Sequence, residues 1–177
     1  MEVNKLVKFA KLEEGILRLT HVTEAHELTQ LDSLRDRFYK EFHNLGPERK
    51  ENLPVNAFCF LTTYKTMQTN SQIGYLISDV VDRTINGVSY KILLIPELYV
   101  INDMQKDGVG SFMLESIKKA DRSCKIEGLE CEIEAVAKRK RGIERFYETN
   151  GFKYVRRKSI NGTHISDVWR YLNPQPL

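Results

Sequence analysis

The first part of the chain shows a strand-like hydrophobic pattern followed by a helix-like one. Residues 16–22, ILRLTHV, alternate apolar and polar side chains, which predicts a half-buried strand. Apolar residues then recur every three or four positions from Glu24 to about Asn44, which predicts an amphipathic helix with one apolar face. Thr23 is the predicted N-cap of this helix, and Gly46-Pro47 ends the pattern.

The middle of the chain has the composition of β-strands. Residues 57–64, AFCFLTTY, are rich in aromatic and β-branched side chains, which predicts a strand. Two further strands are predicted over residues 72–85 and 88–101, because Asn86-Gly87 between them favours a type I′ hairpin turn. Pro96 cannot donate to a hydrogen-bonded ladder, so we expect the sheet to be interrupted, bulged or splayed on one side there.

The last third of the chain combines both periodicities. Helical spacing begins at Ser111, and Gly128 is predicted to close that segment. The sequence GLECEIEAVA then alternates apolar side chains with glutamates, which predicts a strand. A short helix over 141–150 is predicted to end at Gly151, and a final hairpin is predicted around Asn161-Gly162.

This order of elements defines a fold class. It predicts an α/β or α+β domain with a mixed, mostly antiparallel central sheet flanked by helices. The chain has 177 residues, of which 41% are apolar and 29% charged, which fits one globular domain over residues 1–177. The net charge of +3 suits an anionic small ligand and is weaker than the charge expected of a nucleic-acid binder.

Cysteine and hydropathy patterns indicate the compartment. Cys59, Cys124 and Cys131 are odd in number, lie in apolar stretches and lack C-x-x-C spacing, so we interpret them as buried thiols in a reducing compartment. No leader-like segment and no apolar run of about 20 residues is present, so we expect a cytoplasmic protein without membrane association. The histidines lack metal-ligand spacing, so we expect no metal.

The stretch VINDMQKDGVGSFMLESI places a polar hinge between a predicted strand and a predicted helix. Gly108 and Gly110 in this hinge would let an anion approach the unpaired N–H groups of the helix start. The hinge is neither a Walker loop, because no Gly-Lys-Ser/Thr follows, nor a dinucleotide fingerprint, because the third glycine is missing. An ordinary strand-to-helix turn is the alternative interpretation.

Two motifs together resemble the GNAT superfamily of acetyl-CoA-dependent N-acetyltransferases. The first is Leu98-Tyr99-Val100 followed by the segment from Gln105 to Gly110, which is similar to the family's Gln/Arg-x-x-Gly-x-Gly/Ala signature. The second is Phe146-Tyr147 ahead of Gly151-Phe152. The predicted elements agree with the family's order over 16–172, so the resemblance implies a GNAT-type sheet that is splayed at an acetyl-CoA cleft.

The resemblance also implies the residues that bind the coenzyme. The N–H of Leu98 would hold the thioester carbonyl, Val100 would pair with the pantetheine arm, and the amides from Lys106 to Ser111 would hold the diphosphate. Asp107 departs from the family pattern, and its carboxylate could weaken coenzyme binding. The implied set is Leu98, Tyr99, Val100, Gln105, Lys106, Asp107, Gly108, Val109, Gly110 and Ser111.

The catalytic roles are implied in the same way. Tyr147 stands at the position of the family's general acid, with a packing aromatic as the alternative. The family's usual base positions are occupied by Leu94 and Pro96, which cannot accept a proton. Glu97 is the nearest acid and the candidate base, with a structural partner of a basic side chain as the alternative. Glu132, Glu134 or a water relay could also serve, although the two glutamates also fit a solvated face.

The implied function is an acetyl-CoA-dependent N-acetyltransferase that transfers acetyl to a primary amine by direct attack. A small-molecule amine is favoured as the acceptor over a protein amine, and a homodimer is left open. A non-catalytic acyl-CoA-binding module is the alternative from another class. The basic run KRKR at 138–141 leaves open a third reading, an enzyme acting on aminoacyl-tRNA, although it also fits a solvated surface.

Overall fold

The computed structural model describes residues 2–8, 14–43, 52–53, 57–120, 126–134, 142–160 and 164–173. Eight strands and three α-helices lie within these residues. In chain order they are β1 Glu2–Lys8, β2 Glu14–His21, α1 Ala25–Phe38, β3 Phe58–Lys65, β4 Asn70–Ile85, β5 Val88–Val100, α2 Val109–Ala120, β6 Gly128–Glu134, α3 Ile143–Thr149, β7 Lys153–Ile160 and β8 His164–Leu172. A π-helical turn, Tyr39–His43, follows α1, and a 3₁₀ turn, Asn102–Met104, follows β5.

The hydrogen-bonded strands follow the order β1-β2-β3-β4-β5-β6-β8-β7 in the described residues. The pairs β1–β2, β2–β3, β6–β8 and β7–β8 are antiparallel, and β5–β6 is parallel. The predicted fold class, a mixed and mostly antiparallel sheet with helices, is confirmed. Strand β1 was not predicted, because EVNKLVK does not alternate apolar and polar residues; it is defined by its pairing with β2.

The chain divides into two compact units. The first comprises Met1–Ile77 and Glu97–Ser116, and the second comprises Ser78–Pro96 and Ile117–Leu177. Strands β4 and β5 and helix α2 each contribute residues to both units. In the described residues, no helix combines the length and the apolar character needed to cross a membrane.

Helix α1 forms one side of the core of the first unit. Leu31 and Leu34 pack in a buried cluster whose other members are Val22, Cys59, Leu61, Tyr75, Ile77 and Tyr99. The helix begins at Ala25 with Glu24 as its N-cap, so the prediction of Thr23 as N-cap is wrong. The reason is that the Glu27 carboxylate accepts the backbone N–H groups of both Thr23, at 2.9 Å, and Glu24, at 3.1 Å.

The hairpin between β4 and β5 follows the sequence prediction. Asn86 and Gly87 have φ values of 51° and 81°, as a type I′ turn requires, so that prediction is confirmed. Strand β5 continues through Pro96, but its parallel pairs with β6 run only from Ile92 to Ile95, so the pairing on that side of the strand stops at the proline, as the sequence predicted.

The second unit places a buried acid in its sheet. Glu130 of β6 is 2% exposed and pairs with Arg83 at 3.0 Å and with Arg170 at 2.6 Å. Gly151 has φ 78° and directly follows Asn150, the C-cap of α3, which confirms it as the glycine that ends that helix. Gly128 lies in β6, so the prediction that it closes a helix is wrong. An added Cβ at Gly128 would overlap the backbone oxygen of Tyr171.

Candidate functional site

The glycine hinge connects β5 to α2 in the first unit. Lys106 and Gly108 both have positive φ, 73° and 82°, and the C=O of Gly108 accepts the N–H of Phe112 at 2.9 Å. Gly108 is therefore the N-cap, and α2 begins at Val109, two residues before the predicted start at Ser111. The sequence pattern placed the start of α2 too late because its first turn contains Gly110, and glycine is unfavourable inside a helix.

The backbone of the hinge is open on one side. The N–H groups of Val109 and Gly110 belong to the first turn, where no helical carbonyl lies one turn earlier to accept them. An added Cβ at Gly108 would meet no heavy atom within 4 Å, and the residue is exposed. Val109 is 1% exposed and anchors the start of the helix in the core. The hinge thus presents backbone amides beside free space.

Gln105 stabilises the hinge from within. Its side-chain Nε2 donates to the carbonyl of Val100 at 2.8 Å and to Oδ1 of Asn102 at 3.0 Å. The side chain therefore closes the loop between the end of β5 and the hinge. Lys106 and Asp107 are both exposed, so the Asp107 carboxylate lies in solvent.

The end of β5 exposes little of its side chains. Leu98 is half-buried, and Tyr99 is 1% exposed. The Tyr99 hydroxyl donates to Oε2 of Glu41 at 2.9 Å, and burial followed by this hydrogen bond raises the pKa of the phenol. Because the Tyr99 ring is turned into the core, any ligand contact of this residue has to come from its backbone.

Glu97 lies at the centre of a buried network. Its Oε1 accepts from Arg35 Nη2 at 2.7 Å and from the Tyr39 hydroxyl at 3.2 Å. Its Oε2 accepts from Arg35 Nε at 3.0 Å and from the Tyr75 hydroxyl at 2.9 Å. Burial, then the nearby Glu97 charge, raises the pKa of Tyr75, so this phenol stays a donor.

These contacts favour the structural alternative for Glu97. A carboxylate that already accepts four hydrogen bonds, two of them from a guanidinium, has lost most of the lone pairs with which a base would take a proton. Sequence reasoning did not find Arg35, Tyr39 or Tyr75, which lie 62, 58 and 22 positions from Glu97. One signal was available: Arg35 lies four residues after Leu31, on the apolar face of the predicted helix.

Tyr147 belongs to α3 in the second unit. Its ring packs on Phe152 at 5.4 Å and stacks on Trp169 at 6.4 Å between ring centroids. Its hydroxyl forms a hydrogen bond with the thiol of Cys131, which is 1% exposed. Burial, followed by the neighbouring Cys131, raises the pKa of Tyr147, so the phenol is protonated at neutral pH. The ring of Tyr147 thus packs among aromatic side chains, and its hydroxyl stays protonated.

The remaining candidate acids and cations are only partly described. Glu132 accepts a hydrogen bond from Lys158 Nζ at 2.9 Å, so it forms an ion pair on the sheet. The side chain of Glu134, together with Cys124 and the basic run at 138–141, lies outside the described residues. The described His, Cys, Asp and Glu side chains form no group of three that could hold a metal ion.

A groove of about 340 Å³ lies in the first unit, beside the hinge segment rather than in it. Its walls come from the adjoining ends of β3 and β4, from the turn between them and from the residues that follow β5, including Tyr64, Ile73, Ile101 and Met104. No residue from Gln105 to Ser111 lines it, so this groove does not use the amides of the candidate site.

Comparison with known proteins identifies the fold. No protein-family model and no curated protein matches the sequence. Among solved structures, Arabidopsis thaliana NAA60 in complex with acetyl-CoA superimposes with a TM-score of 0.65 at 13% identity, covering 89% of this chain and 99% of that one. The chain has the GNAT fold.

Two further GNAT-fold neighbours agree with this assignment. A provisionally assigned acetyltransferase of the GNAT family from Desulfovibrio desulfuricans has a TM-score of 0.64 at 15% identity, covering 88% of this chain and 98% of that one. A provisionally assigned phosphinothricin N-acetyltransferase has a TM-score of 0.59 at 14% identity, covering 89% and 99%. The family resemblance of the two sequence motifs is therefore matched by the fold over most of the chain.

Proposed function

We propose that this protein is an acetyl-CoA-dependent N-acetyltransferase that transfers an acetyl group directly to a primary amine. The observation that carries the proposal is the hinge in a GNAT fold. Lys106 and Gly108 adopt positive φ, and the space beside Gly108 is open. Such a hinge suits an anion, because unpaired amides and the helix dipole both favour negative charge there.

The residues of the hinge and strand fit the coenzyme by their chemistry. The backbone N–H groups from Lys106 to Ser111 would hold a diphosphate, and the N–H of Leu98 would donate to the thioester oxygen. Acetyl-CoA supplies the activated acetyl group and a thiol as leaving group. Val100 would contact the pantetheine arm through its N–H, because its carbonyl already accepts from Gln105. Tyr99 would contact the coenzyme through its backbone only.

We assign Tyr147 as the general acid. A phenol is protonated at neutral pH, so Tyr147 holds the proton that a departing thiolate needs.

We do not assign the base to Glu97, whose four hydrogen bonds support a structural role. An amine that enters in its neutral form, or that loses its proton to water, needs no side-chain base. We propose a small-molecule amine as acceptor, with a protein amine second. Support comes from a structural neighbour that is provisionally assigned as a phosphinothricin N-acetyltransferase. The free buried thiols of Cys59 and Cys131 support a reducing compartment such as the cytoplasm.

The test is calorimetry with acetyl-CoA, followed by an assay of thiol release against a panel of small amines and peptide N-termini. Gly110→Trp places an indole in the first turn of α2, so we expect it to abolish coenzyme binding. Tyr147→Phe removes the acid, so we expect kcat to fall about a hundredfold to ten-thousandfold with unchanged coenzyme affinity. Full acetyl-CoA binding by Gly110→Trp would refute the phosphate site.

A non-catalytic acyl-CoA-binding module is the second candidate function. It is favoured by the occupied Glu97 carboxylate and by the absence of a proton acceptor at Leu94 and Pro96. Binding of acetyl-CoA without thiol release for any amine on the panel would select this candidate. Thiol release that depends on Tyr147 would exclude it.

A further inference from the structure

The two residues on either side of Leu98 are both tied to the same segment of chain. Glu97 is held by Arg35 of α1 and by Tyr39 of the π-helical turn. Tyr99 donates to Glu41, which lies in that turn as well. The strand position that would present the Leu98 N–H is thus fixed on both sides by side-chain contacts to a single helical segment.

The opposite side of this strand is fixed by the backbone of β4. An added Cβ at Gly74 would lie 2.5 Å from the carbonyl oxygen of Tyr99, so the two strands approach as closely as glycine allows. The N–H of Ile101 donates to the carbonyl of Ile73 at 2.9 Å. These two contacts define the spacing and the register of β5 against β4 at this point.

The Arg35–Glu97 ion pair is costly if stability is its only purpose. The Arg35 side chain is 3% exposed and that of Glu97 is 10% exposed, so both charges have lost most of their water. Apolar residues of similar size in place of a buried ion pair often leave stability unchanged or raise it. A buried pair with two additional tyrosine donors therefore suits a role in fixing one geometry.

We propose that Arg35 is a positioning residue: through Glu97 it holds the backbone of Leu98 so that the Leu98 N–H is preorganised to donate to an oxyanion. Stabilisation of that kind depends on donors that need no reorganisation when charge develops. The proposal rests on the proposed acetyltransferase function and extends it to a residue on another element. Tyr39, Tyr75 and Glu41 support Arg35 in this role.

The test uses the double variant Arg35→Met/Glu97→Leu, which removes both charges together, and Arg35→Lys, which keeps the charge but loses the planar fork. The rigidity of the Leu98 amide is measured by NMR relaxation in ¹⁵N-leucine-labelled protein without coenzyme. The Leu98 signal is assigned by its loss in Leu98→Met. We expect the order parameter of the Leu98 N–H to fall from about 0.85 in the wild type, the value of a rigid backbone, toward about 0.6 in both variants, since the strand is no longer held in place.

Glu130→Gln is the matched control, because Glu130 is also a buried carboxylate paired with arginine. It should leave the Leu98 order parameter unchanged. With an active acceptor in hand, Arg35→Lys should lower kcat about tenfold to a hundredfold with unchanged KM for acetyl-CoA, as expected for a misplaced transition-state contact. If the ion pair were only structural, Arg35→Lys would lower the unfolding temperature but would not lower kcat at unchanged KM.

An unchanged Leu98 order parameter in a folded Arg35→Lys protein would overturn the proposal, as would a fall in kcat that is matched by Glu130→Gln. Should the double variant fail to fold, Arg35→Lys alone decides. Failure of the proposed function is a separate result, because it is read from calorimetry of the wild-type protein with acetyl-CoA. The relaxation measurement contains no coenzyme and does not depend on that outcome.

Discussion

At the scale of single residues, the candidate site depends on backbone conformation more than on side-chain chemistry. Gly108 supplies a positive φ and an open approach to the helix start. Glu97, the residue with the most obvious chemistry, is engaged by Arg35 and two tyrosines. Gly108 is therefore a better indicator of a ligand site than Glu97.

Gly108→Ala should separate the cost of conformation from the loss of binding. Alanine at φ 82° is strained, so we expect the free energy of unfolding to fall by about 1–2 kcal/mol. The added methyl group enters the space proposed for a diphosphate, so acetyl-CoA affinity should also fall. Denaturant unfolding and calorimetry measure the two effects.

Gly87→Ala is the matched control. Gly87 has φ 81° and, like Gly108, no heavy atom within 4 Å of an added Cβ, but it lies in the hairpin turn. We expect the same loss of stability with full coenzyme binding. Equal binding losses in the two variants would mean that strain, and not the ligand site, is responsible.

At the scale of elements, contacts from one residue determine where helices begin and how strands approach. Glu27 closes the start of α1 by accepting two backbone N–H groups. These hydrogen bonds lower the pKa of Glu27, because they are made to its charged form. Gly74 performs the equivalent task in the sheet, where it admits the carbonyl of Tyr99.

Glu27→Ala should shorten α1 at its start. Both N–H groups lose their acceptor, so we expect the free energy of unfolding to fall by about 0.5–2 kcal/mol. Glu27→Gln keeps an oxygen acceptor without the charge and should lose less. Urea unfolding of the two variants provides the comparison, and equal losses would contradict a hydrogen-bonding role.

Gly74→Ala should be more damaging than an ordinary surface change in a strand. Its methyl group would lie 2.5 Å from the Tyr99 oxygen, and backbone has to move to accommodate it. We expect a loss of about 1–3 kcal/mol in the free energy of unfolding, as for other overpacked sites. Wild-type stability in this variant would show that β4 and β5 can separate without cost.

At the scale of the whole molecule, both units bury groups that ionise only in alkali. Burial raises the pKa of Cys59 and Tyr75 in the first unit and of Cys131 and Tyr147 in the second. Each of these groups is neutral in the folded protein at a pH where the unfolded chain would release its proton. The protein should therefore be sensitive to high pH.

We expect the stability from these groups to be complete below about pH 9 and to be lost as pH rises toward the raised pKa values of the folded state. Each group should contribute a slope of about 1.4 kcal/mol per pH unit once the unfolded chain is ionised. Urea unfolding at a series of pH values measures this slope. Cys131→Ala should reduce the slope by the contribution of one group, about 1.4 kcal/mol per pH unit. An identical slope would show that the Cys131 thiol does not contribute to the loss of stability at high pH.

Local sequence determined most of the elements of this protein and the position of its hinge. The alternation in β6, the Asn86-Gly87 turn and the glycines after β5 depend on neighbours in the chain, so a linear pattern records them. The family motifs added the fold, which the structural neighbours bear out. Strand β1 escaped prediction because its pairing with β2, and not its own pattern, defines it.

Only the tertiary structure decided the environment of the candidate catalytic side chains. Glu97 could be a base or an ion-pair partner until folding brought Arg35, 62 residues away, within 2.7 Å of it. The hydrogen bond between Tyr147 and Cys131 likewise joins a helix to a strand. Burial and long-range hydrogen bonds set the protonation and the availability of these groups, and no periodicity along the chain encodes them.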